Sequence, residues 1–209
     1  MASDRGALRA AARRRRFAKG DTIFFEGDPG DSLHVIDHGH VAIRVSALHG
    51  DVMTLEVLSA GDSFGDLALT SGEARRSASA VCLDKVETIS IRQPEFDELR
   101  RRLPAVDRFL VEVLSAQVRR LSSLLLDSLH LDADTRTYRQ LHRLATVYAA
   151  GPPPIVIPLT QGDLASMVGT TRPTINKALQ IAAERGLVSL ARGRITILDL
   201  HGLAKQAQV

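Results

Sequence analysis

The sequence predicts an α+β protein: an N-terminal antiparallel β-roll of jelly-roll type, a long helix, and a C-terminal winged helix-turn-helix. Three observations carry this. Short β-rich runs alternate with Gly/Asp turn signals between residues 17 and 91. Pro104 begins a helix that runs to about His130. Residues 160–177 then read T-Q-G-D-L-A-S-M-V-G-T-T-R-P-T-I-N-K, the grammar of two helices joined by a tight turn.

The strands fall in order at Thr22–Phe25, Leu33–Ile36, Val41–Val45, Thr54–Leu58 and Val86–Ile91. Between them stand turn signals such as Gly27-Asp28-Pro29-Gly30, His38-Gly39, Gly50-Asp51 and Gly61-Asp62. Pro94 opens a short helix through Leu103. In the long helix that follows, Leu110, Leu114, Gln117, Leu121, Leu124, Ser128 and Leu131 recur at alternating steps of four and three. This is coiled-coil spacing with two polar interruptions, and it predicts the seam of a homodimer. Asp132 is the expected cap and hinge before a helix from about Ala133 to Tyr148. Gly151-Pro152-Pro153-Pro154 is a stiff loop, and the runs Leu187–Leu190 and Ile195–Leu198 flank Arg192-Gly193-Arg194 as a hairpin with a basic tip. The expected domains are a roll at 1–103 with a basic arm at 1–16, a dimerisation helix at 104–131, and a DNA-binding domain at 132–209.

In the helix-turn-helix, Thr160 is placed to cap the first helix with Asp163 near a capping-box position. Gly169 breaks that helix where the turn needs a residue tolerant of positive φ. Thr171 caps the second helix, and Pro173 sits in its first turn, where a missing N–H costs nothing. Ile175, Leu179 and Ala182 supply its buried face. Arg172, Pro173, Asn176 and Lys177 remain outside, at the end where such a helix meets base edges. A hairpin buried in a core would have no reason to keep Arg172, Asn176 and Lys177 on one outward face.

Net charge is only +3, but residues 133–209 hold nine Lys/Arg against four Asp/Glu, about +5, while 1–132 hold eighteen against twenty, about −2. The basic excess therefore lies with the helix-turn-helix, as phosphate binding requires. One cysteine, Cys82, excludes an internal disulfide framework. No run of about eighteen apolar residues exists to span a membrane. Arg13–Arg16 has no apolar stretch behind it, so it reads as a frayed, solvated end and not a secretory signal. These features predict a cytoplasmic protein.

A second constellation lies in the roll: Phe64-Gly65-Asp66-Leu67-Ala68-Leu69, then Arg75-Arg76-Ser77-Ala78. Gly65 permits a tight turn, and a short helix from near Asp66 would aim free N–H groups outward. Arg76 can neutralise a phosphate and Ser77 can add a hydrogen bond, while Asp66 suits a sugar hydroxyl better than an anion. A cradle for a sugar-linked phosphate and a plain surface Arg–Asp pair are both compatible with these residues.

Joined to K-G-D-T-I-F-F-E-G-D-P-G-D-S-L at 19–33, the cassette at 64–78 and L-A-S-M-V-G-T-T-R-P-T-I-N-K at 164–177, this order of elements closely resembles the Crp/Fnr family of bacterial transcription regulators. The likeness runs from about residue 17 to 200. It implies a transcription regulator with an effector in the roll, often cyclic AMP or another cyclic nucleotide. It also implies pairing of two subunits through the long helices, binding of a palindromic double-stranded DNA operator, and in some members contact with RNA polymerase. Carried over, Phe64, Gly65, Asp66, Leu67, Ala68, Arg76 and Ser77 line the effector pocket, with Leu121 and Ser122 where cyclic-AMP sensors carry a Thr-Ser pair. Asp66 replaces the family's usual ribose-binding glutamate, one methylene longer. Arg172 matches a guanine-reading arginine, Pro173 replaces a common cytosine-reading glutamate, and Lys177 replaces a second basic reader. Thr160, Thr174, Arg192 and Arg194 are cast as phosphate contacts.

Two rival readings arise from the residues. The first is a regulator whose effector pocket is vestigial or takes something other than a nucleotide. The second is a cupin-like metal enzyme built on His38-Gly39-His40, but Val41–Val45 follows with no carboxylate to complete the ligand set. No G-x-S-x-G elbow is present. Cys82, in the apolar run Ala80–Leu83, reads as core packing rather than a haem ligand.

Overall fold

A computed structural model of the chain describes residues 12–46, 52–70, 75–149 and 151–208, with the side chains of Ala68 and Thr70 outside the described set. The chain forms two compact units, and each is described separately. Residues 12–46 and 56–122 make up the first, 52–55 and 123–208 the second.

The first unit is the expected antiparallel roll. Its strands are β1 (Ala12–Phe17), β2 (Thr22–Phe24), β3 (Ser32–His38), β4 (Val41–Ser46), β5 (Val52–Leu58, of which 56–58 lie in this unit), β6 (Ser63–Phe64), β7 (Ser79–Cys82) and β8 (Val86–Arg92). They form two four-stranded sheets in the orders β1-β8-β3-β6 and β2-β7-β4-β5. Non-consecutive strands are neighbours because each sheet is assembled from both ends of the roll. Alternation sets which face is buried: in β8, Val86 and Thr88 point inward while Glu87 and Ile89 are half-buried. Ile36, Val41, Leu58, Phe64, Ala80, Cys82 and Val86 fill the centre. Helix α1 (Leu67–Thr70) is a single turn; α2 (Gln93–Arg102) has Pro94 in its first turn and buries Phe96 and Leu99.

Strand β1 corrects the frayed basic arm as far as the described residues reach. Ala12–Phe17 pairs in register with β8, Ala12 opposite Ile91 and Phe17 opposite Val86. Arg14 meets Asp37 at 2.9 Å and Glu87 at 3.0 Å, and Arg16 meets Glu87 at 2.9 Å. Four successive arginines are compatible with a strand because it lies at a sheet edge, where charged side chains also block pairing with another chain.

Helix α3 (Pro104–His130) is the long helix, and its apolar residues divide between two faces. Leu110 is buried in the roll's second cluster with Leu33, Leu69, Ile91, Phe96 and Leu99. Leu114, Gln117 and Leu124 are half-buried, whereas Val111, Val118, Leu121, Leu125 and Leu129 are exposed. The predicted stripe therefore mixes the two faces, and the outward apolar line is Val111, Val118, Leu121, Leu125 and Leu129. Spacing alone does not separate them, because Leu124-Leu125-Leu126 supplies a leucine to every nearby register.

The second unit holds the end of α3, then α4 (Ala133–Tyr148), β9 (Ile155–Ile157), α5 (Gln161–Val168), α6 (Arg172–Glu184), β10 (Val188–Ala191), β11 (Arg194–Ile197) and α7 (Leu200–Ala207). Its sheet runs β10-β11-β9. Tyr138, Leu141, Leu144 and Ala145 place one face of α4 in a core shared with Leu164, Ile175, Leu179, Ile197 and Leu203. Asp132 does cap α4, accepting from Thr135 N at 2.7 Å. As a hinge it is the wrong place, for α3 and α4 are tied together around it. Buried Asp127 of α3 accepts from Arg139 and, at 2.9 Å, from Arg143 of α4. Arg136 donates to the carbonyls of Ser128 and Leu131, both at 3.3 Å. The division between units accordingly falls inside α3, between Ser122 and Ser123, and not at residue 132.

Candidate functional site: effector cradle and nucleic-acid interface

In the roll, the turn into α1 brings Gly65 against Arg76. Gly65 has φ +84°, and a Cβ there would stand 2.6 Å from Arg76 Nη1 and 2.9 Å from the Ser32 carbonyl oxygen. Glycine is required twice over, by conformation and by space. The Arg76 side chain is only 2% exposed. Its Nη1 donates to the carbonyls of Ser32 at 2.8 Å and Gly65 at 3.1 Å. Its Nη2 donates to Ser32 Oγ at 3.0 Å and Asp31 Oδ1 at 3.3 Å. The guanidinium lies 4.1 Å over the Phe24 ring. Only the buried Nε lacks a hydrogen-bond partner among the described residues. Burial lowers the Arg76 pKa from its ordinary value, while Asp31 and Asp28 pull it back. Arg76 is thus a desolvated cation whose ion-pair partner among the described residues, Asp31, is 76% exposed.

Asp66 is buried two positions from Phe64, and burial raises its pKa while a hydrogen bond from the Gln117 side chain opposes the rise. Its carbonyl accepts from Leu69 N at 3.0 Å, closing the single turn of α1. Phe64 is buried and stacks on His34, with ring centroids 5.2 Å apart. Leu67 and Ser77 are exposed; the Ala68 side chain lies outside the described residues. Leu121 and Ser122 are exposed on α3, one turn past Gln117. The structure therefore brings together Phe64, Gly65, Asp66 and Arg76, and adds Phe24, Asp31, Ser32, His34 and Gln117. Asp31 and Ser32 belong to the motif at 19–33, but nothing local in the sequence ties them to Arg76, 45 and 44 residues away.

In the second unit, the caps form as the residues require. Thr160 Oγ1 accepts from Asp163 N at 3.1 Å while Asp163 Oδ2 accepts from Thr160 N at 2.9 Å, a complete capping box. Gly169 ends α5 in the left-handed conformation, φ +68°. Thr171 caps α6, its hydroxyl 2.9 Å from that of Thr174. Ile175, Ala178, Leu179 and Ala182 are buried, leaving Arg172, Pro173, Asn176 and Lys177 exposed at the N-terminal end. Between α6 and the β10–β11 hairpin lies a cleft of about 540 Å³, lined by Thr160, Gln161, Arg172, Gln180, Arg192 and Arg194 among others. Three arginines facing one concavity make a site for a polyanion. Lys177, Thr174 and Asn176 lie outside that lining, and the Thr160 hydroxyl is engaged in its own cap. Gln161 and Gln180 are additions that the sequence pattern does not single out.

A roll with a buried arginine cradle, followed by a winged helix-turn-helix with a basic cleft, defines a protein that carries a small-ligand fold and a DNA-binding fold in one chain. Comparison with known proteins agrees on both halves. Residues 14–102 match the model of the cyclic nucleotide-binding domain, and 119–206 match that of the Crp-like helix-turn-helix domain. The chain is 32% identical to the CRP-like cAMP-activated global transcriptional regulator of Mycobacterium tuberculosis, over 92% of this chain and 87% of that protein. It is also 32% identical to the cyclic AMP receptor protein of Thermus thermophilus, over 89% of this chain and 84% of the relative. Among solved structures, a c-di-GMP responsive global regulator of Xanthomonas campestris superposes with a TM-score of 0.77 at 20% identity, covering 95% of this chain and 99% of that one. The chain belongs to the Crp/Fnr family of transcription regulators.

Proposed function

We propose that the chain is a dimeric, sequence-specific transcription regulator whose DNA affinity is set by a cyclic nucleotide held in the roll. The observation that carries this reading is Arg76: a cation 2% exposed, with Gly65 kept bare of a side chain beside it and one exposed carboxylate as its charged partner. A bound cyclic nucleotide supplies an anionic phosphodiester and a ribose hydroxyl. Arg76 fits the first by exchanging Asp31 for it, since all four of its Nη hydrogens are already used within the protein. Asp66, held by Gln117, fits the second as an acceptor. On α3, Leu121 offers the base apolar contact and Ser122 a hydroxyl.

The outward apolar line on α3 supports pairing of two copies, as Val111, Val118, Leu121, Leu125 and Leu129 follow steps of seven, three, four and four. A two-fold dimer sets its two α6 helices against half-sites about 34 Å apart. Arg172 reads guanine there, and Arg192 and Arg194 grip phosphates. Calorimetry of the purified chain with cyclic AMP, cyclic GMP and cyclic di-GMP tests the effector. Saturable binding of one of them, lost in Arg76→Ala, is the expected result. Silence toward all three at millimolar concentration would overturn nucleotide gating and favour the regulator with a non-nucleotide pocket.

A further inference from the structure

A side-chain hydrogen bond joins the two helices of the helix-turn-helix on the exposed surface. Gln161, at the first position of α5, donates from Nε2 to Asn176 Oδ1 on α6 at 3.2 Å. Gln161 also forms part of the wall of the cleft that holds Arg172, while Asn176 is exposed. An asparagine distinguishes adenine by using both ends of one amide, its NH2 on N7 and its carbonyl on the N6 amino group. That needs the amide plane free to turn onto the base edge with both groups open. Here one of the carbonyl's two lone pairs already has a donor in Gln161, and that bond holds the amide plane toward α5.

We propose that Gln161 is a specificity-determining residue, acting by holding Asn176 as a half-reader of the operator. The amide NH2 left open on Asn176 is a donor alone. A donor alone is satisfied by N7 or O6 of guanine, N7 of adenine and O4 of thymine, and it rejects only cytosine. The operator position facing Asn176 is therefore degenerate, in contrast to the neighbouring position read by Arg172. Gln161 acts through Asn176 and needs no base contact of its own. The same contact orders Asn176 before DNA arrives, so the loss of choice at that base comes with a lower ordering cost on binding.

This rests on the DNA-reading role of α6 and is tested on the full chain by selection from randomised palindromic operators, with cyclic AMP present and absent. The wild type is expected to select guanine opposite Arg172 and a mixed base opposite Asn176. Gln161→Ala, and Gln161→Met, which keeps the length without the amide, should turn that mixed position to adenine by about tenfold. Asn176→Ala should erase preference there, and adding Gln161→Ala to it should change nothing further. Unaltered base preference in both Gln161 variants would overturn the proposal, even with weaker affinity, as would the same change in an Asn176→Ala background. A wild type that selects no motif under either condition, nor with cyclic GMP or cyclic di-GMP added, would overturn the DNA-reading role itself, and this proposal with it.

Discussion

The chemistry of the roll turns on individual buried polar residues. His34 is buried, with Nε2 3.3 Å from Ser32 Oγ and Nδ1 3.2 Å from Thr88 Oγ1. Burial, and after it the Arg76 cation, push its pKa down to about 4 from 6.5. The unfolded chain therefore takes up a proton below pH 6.5 that the folded chain refuses. Its contribution is complete above that pH and is lost as pH falls toward 4, by about 3 kcal/mol in all. Denaturant titrations at pH 7 and pH 4.5 should show that slope, and His34→Gln should flatten it. Gly65→Ala forces the side chain into Arg76 at a positive φ, so about 1–3 kcal/mol of stability and most nucleotide affinity should go together in melting and calorimetry. At the DNA end, Arg172→Ala should erase guanine preference while leaving weak, salt-sensitive binding in anisotropy titrations.

At the scale of elements, α3 is the informative one. Its outward leucines and valines are exposed, Val118 at 62% in the first unit and Leu125 at 61% in the second. Val118→Glu with Leu125→Glu should give a monomer by sedimentation and lower operator affinity with it, because a single half-site contact remains. Leu110→Glu, although in the predicted stripe, should instead unfold the roll, as that side chain lies in its core. The second clamp is Asp127. Asp127→Ala leaves Arg139 and Arg143 without their carboxylate but partly exposed and still bonded to the Ala207 carbonyl and Ser123 Oγ, and should cost about 1–3 kcal/mol in thermal or denaturant unfolding of the second unit.

Across the whole molecule, what the sequence discloses depends on whether a rule is local. Thr160, Asp163, Gly169 and Thr171 obey capping rules that operate over three or four residues, so both helices of the DNA reader are readable before any coordinates. The strands at β3, β4, β5 and β8 are readable from alternation and turns for the same reason. Three things are not. Strand β1 exists because β8 offers it an edge, and its own run of arginines argues against it. The two faces of α3 are settled by what packs on Leu110 and Gln117, which spacing does not reveal. Arg76 is readable as a candidate anion ligand, but its partners Asp31 and Ser32 are brought to it only by the folding of the roll. Whether the pocket answers to nucleotide is then a competition between Asp31 and an incoming anion, and a ligand can shift DNA affinity only by the difference it makes between two states.

The tie between α3 and α4 also governs how the molecule can be divided for study. A fragment begun at Asp132, where the sequence places the domain border, would carry Arg139 and Arg143 without Asp127 opposite them. One begun a turn or so before Ser123 keeps Asp127 and both of its arginines in the same polypeptide. Two fragments that differ only by that stretch of helix should therefore separate in melting temperature and in resistance to protease, although both contain every residue proposed to face DNA.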